Sequence, residues 1–210
     1  MLGEGAGPEL SSYTPEETRA AVDEAHRAGI RITTHAHGAE GMRIATEAGV
    51  DSIEHATLLD QKTIRLIKEK DVALVPTFSA LRRIIDNGSA LPARVMERAR
   101  VVAAKHQQGI RDAHKAGIRV AAGTDAGTPF NTHDRFALEL VYLTEAGLSP
   151  TEALVAATSL AADVVGTPKG GRIGPGSWAD LVFVDGDPLR DLEVLQQPKA
   201  VWLRGVPVAP

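Results

Sequence analysis

The chain has 210 residues, enough for one sizeable hydrophobic core with or without a small appendage. Its net charge of −4 gives no electrostatic case for nucleic acid or an anionic membrane, and no apolar run approaches the length of a membrane span. Cysteine is absent, so any metal must use nitrogen and oxygen ligands; the same absence fits a cytoplasmic protein, as does an N-terminus without signal-peptide features.

Residues 1–13 are rich in glycine and proline and read as a loop. Thr14-Pro15 with Glu16 and Glu17 is a helix start, and Gly29 ends that helix. Residues 30–35 form a β-branched strand that runs into His35. A helix opened by Gly38 and closed at Gly49 follows, and then a strand from Val50 that ends on Glu54 and His55. Residues 59–70 make an amphipathic helix with Ile64, Leu66 and Ile67. VALVPT (72–77) is an apolar strand of the kind buried on both faces. Residues 78–91 are expected to form a loop or lid, followed by a long helix over about 93–115. IRVAAGTD is the next strand, ending on Asp125, and helices are expected over about 133–145 and 150–164.

HRAGIRI, TEAGVDS and HKAGIRV each close a helix with glycine and launch a short strand. Such repeated units argue for an α/β protein with a parallel sheet. Four strands of this kind are visible, ending near His35, His55, Thr77 and Asp125, whereas a (β/α)8 barrel needs eight and about 250 residues. The expected fold is therefore half of a TIM-like barrel over residues 1–165. From Gly166 the texture turns to glycine, proline and short alternating strands, with a hairpin at Arg204-Gly205. Residues 166–210 are expected to form part of a small β-sandwich-like domain. Gly166 and Gly171 do not make a phosphate loop, because the segment follows a helix and lacks Gly-Lys-Ser/Thr.

Parallel strands joined by helices put their C-terminal ends on one face, where barrel enzymes keep their chemistry. His35, His55 and Asp125 are thus expected side by side, a set suited to zinc or a related divalent metal. His37 lies just past the strand end, as a substrate contact, a support for a ligand or a plain loop histidine. His133 can reach the same mouth, and the loops at Phe78 and Phe130 would shape specificity. Glu54 precedes His55 in a strand, so its side chain is expected on the opposite face in a structural role. His26, His106 and His114 lie within helices and read as structural. There is no G-x-S-x-G elbow and no thiol nucleophile.

THAHGAEGMRIATEAGVDSIEHATLLD, VALVPTFSA, GTDAGTP and GRIGPGSWADLVFVDGDPLRDL together resemble the amidohydrolase superfamily, in its imidazolonepropionase-like and Xaa-Pro dipeptidase-like branch. The likeness covers nearly the whole chain. It implies a barrel carrying one or two divalent metals, usually zinc, and hydrolysis of an amide, cyclic amide or dipeptide bond. It implies further that His35 and His55 are the metal ligands of the fifth and sixth strands. Asp125 matches the eighth-strand aspartate, a ligand that also acts as general base, so Asp125 and His55 are the expected catalytic residues.

The family's first-strand His-x-His and fourth-strand lysine have no counterpart here. His35-Ala36-His37 has that spelling, but its flanks match the fifth strand. The chain therefore resembles the C-terminal portion of a longer enzyme, and it is expected to self-associate or to need the missing N-terminal half. A small molecule or dipeptide is the implied substrate. Competing readings are a non-catalytic, metal-binding half-barrel that serves as a partner subunit, and a degenerate piece that binds nothing.

Overall fold

The computed structural model describes residues 11–88 and 91–208. The expected loop over 1–13 therefore lies mostly outside the described residues, as do two residues of the expected loop over 78–91.

The first half follows the local signals in the chain. Helix α1 (Pro15–Arg27) starts with a full capping box: the Thr14 hydroxyl accepts from the Glu17 N–H, and the Glu17 side chain accepts from the Thr14 N–H. Strand β1 (Thr33–Ala36), helix α2 (Ala39–Ala48) and strand β2 (Ser52–His55) come next. Gly49 ends α2 at φ 97°, a left-handed conformation that glycine adopts without penalty. Helix α3 (Gln61–Glu69), capped by Asp60, leads to strand β3 (Ala73–Val75).

The three strands form a parallel sheet in the order β1-β2-β3, with Thr33 beside Ser52 and His35 beside Glu54. The expected fourth strand is much shorter than its sequence suggests. Only Val120 bridges to Leu74, through Leu74 N–H to Arg119 O at 2.9 Å and Ala121 N–H to Leu74 O at 2.8 Å. Pairing stops there because the next donor on the β3 side is residue 76, a proline with no N–H to continue the ladder, while Ala122 N–H, on the other edge, bonds to Ala156 O at 2.9 Å.

The segment expected as a loop over 78–91 is largely a helix, α4 (Phe78–Asn87). Phe78, Leu81, Ile84 and Ile85 have the spacing of one helical face. Its start carries no local cap, because Thr77 makes no side-chain bond to the first turn. Helix α5 (Ala93–Lys115) matches expectation. The helix expected from His133 begins as a 3-10 turn (His133–Arg135) and becomes helix α6 at Ala137–Glu145. The helix expected over 150–164 is two: α7 (Pro150–Ala157) and α8 (Ser159–Val164), broken at Thr158.

The main core lies between one face of the sheet and the helices, around Met42, Ile53, Ile67, Leu74, Ile110, Leu140 and Leu143. On the other face a small cluster of Ala73, Val75, Ala121 and Val164 packs with Leu160. At the C-terminal end, β4 (Leu181–Phe183), β5 (Ala200–Leu203) and β6 (Val206–Val208) form a separate antiparallel sheet. Arg204 (φ 52°) and Gly205 (φ 79°) make the expected hairpin, both left-handed as a tight two-residue turn requires. Among the described residues, no helix is long and apolar enough to cross a membrane.

Candidate metal centre

Regular alternation would not bring His35 and His55 together. The register pairs His35 with Glu54 and Ala36 with His55, so an undistorted strand would send His55 after Ile53 toward the opposite side. The chain instead turns left-handed at the strand end, with φ 71° at His55 and 52° at Ala56. Non-glycine residues hold that conformation only when their surroundings fix it. The turn re-aims the ring, and His55 Nε2 lies 2.8 Å from His35 Nδ1.

His37 completes the group. Its ring stacks on His55 at 4.7 Å between centroids and stands edge-on to His35 at 4.5 Å. One ring nitrogen from each of His35, His37 and His55 lies within 4.8 Å of the others. All three line a cavity of about 310 Å³, together with Thr57, Thr77, His106 and Asp125, with Leu81 and Ile84 among its apolar residues.

Each buried ring is held by a hydroxyl. Thr57 Oγ1 lies 2.8 Å from His37 Nδ1, and Thr77 Oγ1 lies 2.6 Å from His55 Nδ1. The Thr77 hydroxyl donates its single proton to Pro76 O at 2.6 Å, so toward His55 it must accept. His55 therefore carries its proton on Nδ1, which leaves the Nε2 lone pair facing the cluster. His106, read from sequence as structural, anchors the backbone: its Nε2–H donates to His55 O at 2.7 Å.

Burial holds these imidazoles neutral. His37 is lowered to about 3, first by desolvation and then by the neighbouring His55 and His35. His55 is lowered to about 4 by desolvation and His35, with Asp125 pulling the other way. His106 is lowered to about 4, again chiefly by desolvation. Neutral imidazole is the form in which histidine ligates a divalent metal, and His37 and His55 are held in it, so the three clustered nitrogens fit such an ion without any thiolate.

The same shifts set an acid limit. In the unfolded chain these rings protonate near 6.5, whereas the folded ones resist until about 3 to 4. Stability is therefore intact above about pH 6.5 and is lost as pH falls toward 4. Glu139, raised to about 7 by desolvation, acts in the opposite direction between about pH 4.5 and 7. For His106, only 3% exposed, the shift corresponds to about 3 kcal/mol. His106→Gln keeps an N–H for His55 O but cannot titrate, so melting temperature followed from pH 7 to 4 should fall less steeply in this variant. An unchanged acid slope would remove His106 as its source.

The remaining predicted residues are placed as follows. Asp125 lies at the cavity mouth, exposed and in a left-handed conformation (φ 55°), and it stays outside the tight nitrogen cluster. Its carbonyl accepts from Thr128 Oγ1 at 2.9 Å and Asn131 Nδ2 at 3.1 Å, which leaves the carboxylate out of the loop's bonding. Phe78 is buried at the start of α4, with its ring 4.5 Å from that of His106, and it lines the neighbouring cleft rather than the histidine cavity. His133 is exposed and does not line the cavity. Glu54 also stays off it, accepting from Thr33 Oγ1 at 2.7 Å. Sequence reasoning missed Thr57 and Thr77, and nothing local in the sequence marks them.

Residues 1–208 match the amidohydrolase family. The chain is 35% identical over 205 residues to the ochratoxinase of Aspergillus niger, a match covering 96% of this chain and 42% of that protein. The imidazolonepropionase of Salinispora tropica is 28% identical over 182 residues, covering 84% of this chain and 42% of that one. Among solved structures, a Xaa-Pro dipeptidase with methionine in its active site superposes with a TM-score of 0.84 at 35% identity, over 94% of this chain and 49% of that one. The chain thus spans about half the length of these relatives, yet what it spans follows their fold closely. By the extent of these matches, the chain belongs to the amidohydrolase family.

Proposed function

We propose that this chain is part of a metal-dependent hydrolase that cleaves a carbon–nitrogen bond of an amide, cyclic amide or dipeptide. The observation that carries the reading is the convergence of three imidazoles, with Asp125 on the same cavity. The names of the relatives, an ochratoxinase, an imidazolonepropionase and a Xaa-Pro dipeptidase, support the bond class.

His35, His55 and Asp125 retain the roles implied by the family motifs, and His37 joins them as a third nitrogen donor. The metal we favour is zinc. When bound, it would lower the pKa of water and polarise the scissile carbonyl. Asp125 accepts the water's proton and passes it to the departing amine. Thr77 holds the His55 ring in the tautomer that donates through Nε2. Leu81 and Ile84 give the cavity an apolar wall against which a substrate side chain can shed water.

The same reading assigns the parallel strands to an arc of a (β/α)8 barrel over residues 1–165 and β4–β6 to part of the family's small β domain. The remaining barrel strands would come from polypeptide equivalent to the half of the relatives that this chain does not match.

The test combines binding and turnover. Zinc titration against a chromophoric chelator should show one tight site, weakened by about 100-fold or more in His55→Ala, beyond what loss of a mere supporting partner produces. Dialysis against a chelator should remove hydrolysis of N-acyl amino acids or X-Pro dipeptides, and zinc should restore it. A chain that takes up no divalent metal, or a His55→Ala variant that binds as tightly, would sink the reading.

A further inference from the structure

Glu139 sits in the first turn of α6 with no exposed surface, flanked by Leu138 and Leu140. A wholly buried carboxylate is costly unless its oxygens are satisfied. Both are. Oε1 accepts from the Phe78 N–H at 2.8 Å, and Oε2 accepts from the Ser79 N–H and the Ser79 hydroxyl, each at 2.7 Å. Phe78 and Ser79 open α4, so the carboxylate lies on the electropositive end of that helix.

The residue ordinarily responsible for such a cap is the one preceding the helix, here Thr77. Its backbone is left-handed (φ 55°, ψ 44°) and its hydroxyl makes no bond to the first turn. That hydroxyl is committed elsewhere, donating to Pro76 O and accepting from His55 Nδ1. Capping by Glu139 and the Thr77–His55 bond are thus two halves of one arrangement. Without the carboxylate, the free N–H groups of α4 would compete for the Thr77 oxygen.

We propose that Glu139 is a positioning residue for the histidine cluster: by capping α4 from a distance, it releases Thr77 to fix the tautomer and orientation of His55. The consequence for metal affinity rests on the metal-centre reading above; the consequence for the His55 tautomer does not.

The experiment compares Glu139→Gln, Ser79→Ala and Thr77→Val in the full chain. Long-range 15N NMR of the metal-free protein reads the His55 tautomer, and chelator competition reads zinc affinity. Wild type should show His55 protonated on Nδ1. Thr77→Val should lose that preference and weaken zinc binding about 10-fold. Glu139→Gln should do the same although it touches neither Thr77 nor His55, and combining it with Thr77→Val should add little. Ser79→Ala, which removes one of three donors, should show a smaller change and decides the matter if Glu139→Gln does not fold. The proposal is overturned if Glu139→Gln, or failing it Ser79→Ala, melts lower but keeps the wild-type tautomer and zinc affinity, since Glu139 would then be only a structural cap. If the tautomer shifts as described while no variant or wild type binds zinc, Glu139 keeps its positioning role and the metal-centre reading fails.

Discussion

Asp125→Asn is expected to lower kcat by about 10²–10⁴-fold, the usual range for losing a general base. Asparagine fills the same space but cannot take a proton. The substitution is clean because the surroundings hold the backbone of Asp125 rather than its carboxylate: Thr128 and Asn131 donate to its carbonyl. The left-handed conformation at φ 55° is one that asparagine tolerates as well as aspartate does. Metal affinity should change less than in His55→Ala, since Asp125 stands outside the nitrogen cluster. The measurement is a steady-state rate on the best amide substrate, with zinc content determined on the same sample. A kcat equal to wild type would take the base role away from Asp125.

The isolated 210-residue chain is expected to self-associate in solution rather than behave as a well-defined monomer. From the sequence, the open edges of the parallel strands are the expected cause. The structure adds a larger one in the β4-β5-β6 sheet. Its register aligns Val182, Val201 and Val208 across the three strands, and Leu203 with Val206, so one face is apolar throughout. Val182, Leu203, Val206 and Val208 are 59%, 55%, 62% and 40% exposed. Covering such side chains recovers on the order of 25 cal/mol per Å² of apolar area, so a second copy laid on this face gains several kcal/mol. Light scattering should give a mass above the monomer that rises with concentration. Leu203→Lys with Val206→Lys places two charges on the face and should return the chain toward monomer. A wild-type chain that stays monomeric at every concentration and unfolds in one cooperative step would refute the expectation.

These expectations differ in how much of their basis the sequence itself carries. The alternation of helices and strands, the capping boxes at Thr14 and Ser149 and the Arg204-Gly205 hairpin are legible because each signal sits within a few residues of its effect. The placement of His35 and His55 at neighbouring strand ends is legible for the same reason, since strand period and helix length are local properties.

Other features come only from packing. Helix α4 reads as a loop because its cap arrives from Glu139, 60 and 61 residues away, which no local pattern can announce. The fourth strand reads as long because its own composition does not reveal that its register places it beside Pro76, which has no N–H to continue the ladder. His106 reads as structural because its partner is a backbone carbonyl 51 residues distant. His37 joins the cluster through its bond to Thr57, 20 residues away, and His55 turns into it through left-handed backbone beside a buried bond to Thr77. The sequence alone marked the candidate residues and placed His35 and His55 at the ends of neighbouring strands. The tertiary structure decided which of them meet, because long-range hydrogen bonds and burial, rather than neighbouring residues, hold the strained turns that aim them.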